Sequence, residues 1–286
     1  MVLSVSTWSA HEQLYHGKMS KEDFVKLLYK HGVSGMEAVD IDFQDTSFES
    51  MKELQDIGRA YGVEITCMSL EHDLCRYTEE ERRMDVDTVI RWMETAKKLN
   101  VRNVRVFTGW LKEGVPYHMQ MKWIYEGIER IIKKAEEWDM NLVLENHDNV
   151  CFGADEIVEL IGDMRSECLF TCPDVFNYKT FTASGTPLIG EWSYQEIGKL
   201  LPYAKNVHIK ICRAIEGNTR DAYLDLERMQ RLLKKYEYDG PVALEFMWPL
   251  LKAGEDSVAE LENAIEVLKY QMHHKCMKQK KGTAWK

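Results

Sequence analysis

The feature that most constrains the fold of this chain is a regular alternation of short β-like runs with longer segments of helical periodicity. Eight β-like runs are present, at residues 2–8, 35–41, 63–70, 103–108, 141–146, 169–174, 206–210 and 241–246. Between them apolar residues recur every three or four positions, as at Ile124, Ile128 and Ile131, which is typical of helices with one buried face. Strict alternation predicts parallel strands, because strands joined by hairpins need no helix between them.

The number of units favours a closed barrel over an open sheet. Eight strand–helix units in 286 residues, roughly 36 residues each, fit a (β/α)8 barrel. An open doubly wound sheet also alternates, but it usually has a glycine-rich turn after its first strand, and residues 9–12 contain no glycine. We therefore predict the α/β class, with a single (β/α)8 barrel over residues 1–272 and a lysine-rich tail over residues 273–286.

Charge and composition argue against several classes of protein. The chain has 37 basic and 47 acidic side chains, a net charge of −10, whereas a general nucleic-acid binder needs many cationic contacts with phosphates. No apolar run approaches the length of about 18 residues that crosses a membrane, and the N-terminus does not resemble a signal peptide. The seven cysteines are scattered, which favours a reduced, cytoplasmic protein.

Four consecutive predicted strands end in residue types that bind divalent metal ions: Glu145, Asp174, His208 and Glu245. Their separations of 29, 34 and 37 residues are each close to one strand–helix unit. Functional residues of such barrels lie at the C-terminal ends of the strands, so this spacing brings the four side chains around one point. Glu145 and Glu245 also interrupt apolar strands, where a carboxylate is costly unless it is paired or binds a metal. The set predicts one divalent ion, Mn²⁺ before Mg²⁺, Co²⁺ or Zn²⁺.

The order Glu, Asp, His, Glu on the last four strands resembles the xylose isomerase-like TIM-barrel superfamily of sugar phosphate isomerases and epimerases. The resemblance extends from Val2 to about Lys269. It includes Gly-Met-Glu at residues 35–37 and Glu-Asn-His at residues 145–147, which are similar to motifs that end the second and fifth strands of members. The resemblance implies that the four residues are metal ligands. It also implies that Glu145 and Glu245 move the proton, as in ketose epimerases.

The chain departs from the pattern of the superfamily at two places. Many members have a histidine three residues after the sixth-strand aspartate, where this chain has Asn177. The related AP endonucleases need additional histidines for three zinc ions, and here the fourth strand ends in Thr108 and Gly109. His72 is a candidate for one of those ligands, but the others are missing. A DNA-repair activity and a nucleic-acid partner are therefore not expected.

Further candidates follow the predicted strands. His147 lies two residues after Glu145 and is a candidate acid, base or hydrogen-bond donor, or a residue that orients its neighbours. Lys210 is placed to bind a carboxylate, phosphate or enolate, and Arg213 to bind substrate or form a surface salt bridge. The remaining candidates for substrate binding are Asn177 and three aromatic residues that serve as sugar platforms or as packing, Trp8, Trp110 and Trp248.

The favoured function is a metal-dependent sugar isomerase or epimerase that transfers a proton next to a carbonyl through an enediolate. The alternative is a lyase of the same fold, either inosose dehydratase-like or the catalytic subunit of a C-glycoside deglycosidase with a small β subunit. A non-catalytic sugar-binding barrel is a third class. The expected partner is a sugar, cyclitol or glycoside, in a homo-oligomer or in a hetero-oligomer with the β subunit. The long aromatic segment 175–193 is predicted to close the site or to dock another subunit.

Overall fold

The chain folds into eight parallel strands surrounded by helices. The structure is a computed structural model that describes residues 1–147 and 150–274, without the side chains of residues 273 and 274. The eight predicted strands are all present, each within two residues of its predicted bounds. They are β1 (Val2–Ser6), β2 (Gly35–Val39), β3 (Glu64–Ser69), β4 (Asn103–Val106), β5 (Asn141–Glu145), β6 (Leu169–Cys172), β7 (Val207–Ile211) and β8 (Pro241–Phe246).

Helices follow the strands, and polar residues fix where several of them begin. Thr78 Oγ1 accepts a hydrogen bond from the backbone N–H of Glu81, whose carboxylate accepts one from the backbone N–H of Thr78. Ser20 and Asp23 make the same reciprocal pair. The described helices are α1 (His11–Tyr15), α2 (Lys21–Lys30), α3 (Phe48–Ala60), α4 (Glu79–Lys98), α5 (Tyr117–Trp138), α6 (Ala154–Met164), α7 (Glu191–Leu200), α8 (Leu226–Lys235) and α9 (Ser257–Lys269). Among the described residues, no helix combines the length and apolarity needed to cross a membrane.

The sheet closes into a barrel between β6 and β7. The hydrogen-bonded strand order is β6-β5-β4-β3-β2-β1-β8-β7, and all neighbouring pairs are parallel. Two single parallel bridges complete the ring, between Thr171 and Ala204 and between Asp174 and His208. The closure confirms the predicted barrel and excludes the open sheet. It also places two of the predicted metal ligands side by side.

Alternate residues of each strand face the barrel interior and fill it in layers. One layer is a fully buried apolar cluster of Cys67, Val143 and Cys172. The next interior position toward the C-terminal end of β5 is Glu145, so the polar layer lies directly above this cluster. The larger core lies between strands and helices, and the predicted apolar face of α5 is fully buried there.

The segment 175–193 divides into a buried part and an exposed part. Residues Val175–Tyr178 form a 3-10 turn, and the fully buried Tyr178 donates a hydrogen bond to the backbone oxygen of Phe152. Residues Thr180–Phe181 and Pro187–Leu188 form an exposed hairpin, which the sequence analysis did not predict because strands of two residues show no periodicity. The lid or docking role of the segment stays a prediction, for which this hairpin and the 46 % exposed Trp192 are the exposed parts. The predicted tail lies outside the described residues, apart from the backbone of residues 273 and 274.

Candidate metal centre and active site

The four predicted metal ligands meet at the C-terminal ends of β5 to β8. Each offers one ligand atom, and these atoms all lie within 4.8 Å of one another. At most 5 % of each residue is exposed. The barrel register explains the convergence, because β5 pairs with β6, β7 pairs with β8, and the bridge from Asp174 to His208 joins the two pairs. The residues are Glu145, Asp174, His208 and Glu245.

His208 is oriented by a carboxylate that the sequence analysis did not select as a site residue. Its Nε2 lies 3.0 and 3.1 Å from the two carboxylate oxygens of Glu37. Glu37 is fully buried and also accepts hydrogen bonds from Ser69 and Asn206. Burial alone would raise the pKa of Glu37, but the His208 imidazole and the Arg105 guanidinium hold it at about 2. An ionised Glu37 keeps the Nε2 proton facing it, as carboxylates behind metal-binding histidines do.

The other ring nitrogen of His208 faces the ligand cluster. Nδ1 is buried without a hydrogen-bond partner among the described residues, and it lies 3.5 Å from Glu145 Oε1 and 3.5 Å from Glu245 Oε1. Burial lowers the pKa of His208, but the Cys172 thiol and the surrounding carboxylates raise it well above its usual value. The surroundings therefore favour positive charge at Nδ1, carried by a proton or by a metal ion. One imidazole nitrogen and three carboxylates suit a divalent ion.

Lys210 enters the same cluster from β7. Its Nζ donates to Asp174 Oδ2 and lies 3.1 Å from Glu245 Oε2 and 3.5 Å from Glu145 Oε1. It also donates to Asn177 Oδ1 at 3.1 Å. Burial would lower the pKa of Lys210, but Asp174 and the two glutamates raise it well above its usual value. The side chain is therefore an ammonium among the predicted metal ligands, rather than a group directed only at substrate.

The buried charges of the site do not balance. The three carboxylates of the cluster and Glu37 are opposed by two buried cations, Lys210 and Arg105. Arg105 Nε lies 3.4 Å from Glu145 Oε2, and the sequence analysis did not identify this residue as part of the site. The formal excess is two negative charges with a neutral His208, and one with a protonated His208. Buried charge of this kind is costly unless it is compensated, and a divalent cation would compensate it.

A cavity of about 310 Å³ opens above the cluster. Of the predicted site residues, it is lined by Glu145, Glu245, His147, Asn177, Lys210 and Trp8. The rest of the wall mixes charged and apolar side chains: Val39, Ile41, Glu71, Arg105, Phe107, Phe176, Lys179 and Met247. Of these, Phe176 and Lys179 belong to the segment 175–193 that was predicted to close the site, and the others were not identified from the sequence. The combination of apolar walls with a few convergent polar groups is typical of small-molecule sites.

His147 is held against the cavity wall by an aromatic stack. Its ring lies parallel to that of Phe107, with centroids 5.3 Å apart, and His72 stacks on Phe107 at 4.6 Å. His72 Nε2 accepts a hydrogen bond from the backbone N–H of Phe107, and its Nδ1 faces the backbone oxygen of Leu70. Burial and the charge of Arg105 lower the pKa of His72 to about 4. His72 is thus a neutral packing residue, and the structure gives no support to a metal-binding role.

Three predicted substrate-binding residues do not line this cavity, because their side chains contact other residues. Arg213 forms a two-point ion pair with Glu255, with both distances 3.0 Å. This matches the surface salt bridge that was the alternative to substrate binding. Trp110 packs edge-on against Phe107 and is 39 % exposed outside the cavity wall. Trp248 packs against Trp8, with ring centroids 5.3 Å apart, and lines a separate small cavity. Trp248 therefore packs against Trp8 on the side away from the cavity above the cluster.

Replacing Glu37 by Gln is expected to lower metal affinity about 10- to 100-fold, because the ring of His208 loses its ionised partner. The new amide would also face the Asn206 side-chain amide, whose NH₂ group now donates to Glu37. Titration with Mn²⁺ measures the effect. Asp42→Asn is the matched control, since it alters another fully buried carboxylate outside the ligand cluster. Equal affinities in wild type and E37Q would contradict the role of Glu37.

Comparison with known proteins agrees with the geometry at the level of the fold. No curated protein matches the sequence. An L-ribulose 3-epimerase structure is 14 % identical with a TM-score of 0.76 and full coverage of both chains. The 3-keto-D-glucoside 4-epimerase YcjR from E. coli is 12 % identical (TM-score 0.70, covering 92 % of this chain and 97 % of that one). The probable 3-DHS dehydratase AsbF from Bacillus anthracis is 17 % identical (TM-score 0.69, covering 94 % and 99 %).

At these identities the structural likeness shows the fold alone, and the family comes from the sequence. The model of one family matches residues 25–271, which is most of the chain and includes all four residues of the ligand cluster. The chain therefore belongs to the xylose isomerase-like TIM barrel family.

Proposed function

We propose that this protein is a divalent-metal-dependent isomerase or epimerase that moves a proton next to the carbonyl of a sugar or cyclitol, through an enediolate. One observation carries the proposal. Glu145 and Glu245 belong to the buried ligand cluster and also line the cavity. The same two carboxylates are thus within reach of a cation and of a small molecule in the cavity. Solved structures of this fold include sugar epimerases and a dehydratase, so enzymatic activity is expected.

The residues that would hold the ion are Glu145, Asp174, His208 and Glu245, and Mn²⁺ is our first choice. When bound, a divalent ion supplies a Lewis acid that polarises the carbonyl and stabilises the charge of the enediolate. The chain supplies the proton transfer and the orientation of the substrate. Lys210 and Asn177 line the cavity beside the cluster and are proposed to bind substrate oxygens. Trp8 is proposed to pack against the carbon face of the substrate.

The two glutamates differ in their surroundings. Glu145 Oε1 accepts a hydrogen bond from Asn177 at 3.0 Å, and Arg105 lies against Oε2. Burial would raise the pKa of Glu145, but Lys210 and His208 hold it well below its usual value. Glu245 contacts the same lysine and histidine, and among the described residues the ion pair of Arg105 is with Glu145, although the charge of Glu245 also acts on Arg105. We therefore assign removal of the substrate proton to Glu245 and its return to Glu145.

A lyase is the second candidate, and His147 favours it. Its ring lies on the cavity wall with both glutamates, where an imidazole can protonate a departing oxygen. In an elimination of water or an alcohol, Glu245 takes the proton next to the carbonyl, the C–O bond on the following carbon breaks, and the oxygen leaves with a proton from His147. In the cleavage of a C-glycoside, the bond that breaks is the C–C bond to the aglycone, and the proton goes to the aglycone carbon. Position 177 is an asparagine, whereas many members of the superfamily have a histidine there, and this difference weakens the case for a ketose epimerase.

The proposed partner is a small molecule, because the cavity holds about 310 Å³. We also propose a cytoplasmic enzyme, since the six cysteines among the described residues are free. For assembly, the exposed hairpin presents Phe181 and Leu188, which are 61 % and 51 % exposed. This hairpin is our candidate contact for a homo-oligomer, or for a β subunit if the protein is a C-glycoside lyase.

A substrate panel tests the proposed function. The purified chain, loaded with Mn²⁺ in D₂O, is incubated with free ketoses, inososes and 3-keto-glycosides. We expect one class to give product with deuterium on the carbon next to the carbonyl. A product that is an isomer of the substrate, apart from the exchanged hydrogen, indicates the epimerase, whereas loss of water or of an aglycone indicates the lyase. Neither turnover nor exchange with any class, from protein shown to contain metal, would contradict both. Light scattering on the same preparation reports its oligomeric state.

A further inference from the structure

We propose that Lys210 competes with the divalent metal ion for Asp174 and thereby sets the affinity of the metal site. The inference rests on the metal site of the proposed function. It adds that an internal ammonium makes this site weaker than its four ligands alone would make it.

Both carboxylate oxygens of Asp174 already accept a hydrogen bond. Oδ1 accepts a hydrogen bond of 2.8 Å from the backbone N–H of Phe176, and this bond fixes the first turn after β6. Oδ2 is the remaining oxygen, and it accepts a hydrogen bond from Lys210. The backbone of Asp174 is held as well, since its N–H donates to Asn146 Oδ1 at 2.8 Å and its carbonyl accepts from Asn146 Nδ2 at 2.9 Å. A cation that binds Asp174 at Oδ2 must therefore share that oxygen with the ammonium or displace it.

Lys210 is built into its position. Its strand register places it beside Glu245, and the side chain is 8 % exposed. Besides Asp174, its Nζ has oxygens of Glu245 and Asn177 at 3.1 Å and of Glu145 at 3.5 Å. These four groups surround the ammonium as ligands surround a cation. Two of the metal ligands, Glu145 and Glu245, are thus also partners of the lysine.

A second cation in the same buried set is repelled by the first. Like charges a few ångströms apart in a partly buried site interact strongly, because water screens them poorly. Removing the ammonium should therefore strengthen metal binding about tenfold or more. The same change leaves the carboxylates without a counter-ion when no metal is present, so the metal-free protein should lose stability. Metal should then stabilise the variant more than the wild type, since it binds only the folded protein.

The experiment compares wild type, Lys210→Met and Lys210→Gln with a matched control. The glutamine variant keeps a hydrogen-bond donor if the methionine variant folds poorly. Lys112→Met is the control, because Lys112 is a largely buried lysine paired with Asp73 at 2.5 Å outside the ligand cluster. Calorimetric titration with Mn²⁺ gives the affinity. Thermal unfolding with and without Mn²⁺ gives the stability of each form.

We expect K210M or K210Q to bind Mn²⁺ at least about tenfold more tightly than wild type, with a lower Tm without metal and a larger rise on adding it. K112M should lose stability with unchanged Mn²⁺ affinity. An affinity in the Lys210 variants that equals or falls below that of wild type would overturn the competition while leaving the metal site intact. Binding by the variants but not by wild type would support the competition and overturn the metal-dependent function. No binding by any of them would overturn both.

Discussion

Replacing Asp174 by Asn is expected to remove detectable metal binding and to lower turnover by about 10²-fold or more. The asparagine keeps the shape of the side chain and can still accept the N–H of Phe176 through Oδ1. It puts a neutral amide where Oδ2 lies, so the cluster loses one anionic ligand. Mn²⁺ titration and steady-state kinetics on the substrate found by the panel measure the two losses.

The control for this variant is Asp221→Asn. Asp221 is 4 % exposed and accepts four backbone N–H groups in the loop after β7, outside the ligand cluster. We expect D221N to lose stability and to keep its metal. If D174N retained wild-type activity after exhaustive treatment with a chelator, the proposed metal dependence would be wrong.

Replacing Glu245 by Gln is expected to lower turnover by about 10²- to 10⁴-fold, which is the usual contribution of a general acid or base. The amide is isosteric with the carboxylate, but it cannot take a proton from the substrate. The variant is assayed at saturating Mn²⁺, so that weaker binding of the ion is separated from lost chemistry. Exchange of substrate hydrogen with D₂O, followed by NMR, should be slowed to the same extent as turnover.

Two comparisons make the assignment of Glu245 specific. Glu145→Gln should also lower turnover by about 10²-fold or more, with a larger loss of stability because Arg105 loses its carboxylate partner. Glu71 lines the same cavity outside the ligand cluster, so E71Q should have a much smaller effect on turnover. Wild-type turnover in both E145Q and E245Q would refute proton transfer by these residues.

The fold could be predicted almost completely from the sequence, because it depends on local periodicity. Each barrel strand is a short apolar run, and each main helix carries an apolar face, so the order of elements was readable without tertiary information. The pairing of β6 with β7, which closes the barrel, is harder to predict from the sequence. It is made by two isolated bridges rather than by a continuous ladder. The hairpin after β6 and a second one after β7, formed by Ala214–Ile215 and Arg220–Asp221, could not be predicted, since their strands have only two residues each.

The ligand cluster was readable for a related reason. Glu145 and Glu245 are charged residues at the ends of apolar strands, and their spacing follows the repeat of the barrel. Arg105 is also a charged residue within a strand, but the sequence analysis did not weigh it because arginine is not a metal ligand. Its role depends on its contact with Glu145 of the neighbouring strand β5 inside the barrel, which is a tertiary fact. The Gly-Met-Glu motif contained a usable signal for Glu37, which the sequence analysis related to a family motif without assigning it a role.

The partners of long side chains were the least predictable part of the site. Lys210 and Arg213 lie three residues apart, and both were candidates for substrate binding. Lys210 lines the cavity and also enters the ligand cluster, whereas Arg213 turns toward Glu255. The difference arises because Lys210 is an interior position of β7, and Arg213 lies beyond the end of that strand. Sequence spacing places the backbone of such residues, but the direction of a flexible side chain depends on the carboxylates within its reach.

The division between strand and loop residues in this site bears on how new activities can arise. The charged groups proposed to react lie on strands or at their last residues, where hydrogen bonds on both sides fix the backbone. Much of the remaining wall comes from connecting segments: Trp8, Ile41 and Phe176 lie in short turns, and Met247 directly follows β8. Connecting segments tolerate exchange far better than barrel strands do. Selection or engineering could therefore replace these walls and admit a differently shaped molecule, while the ligand cluster keeps its geometry.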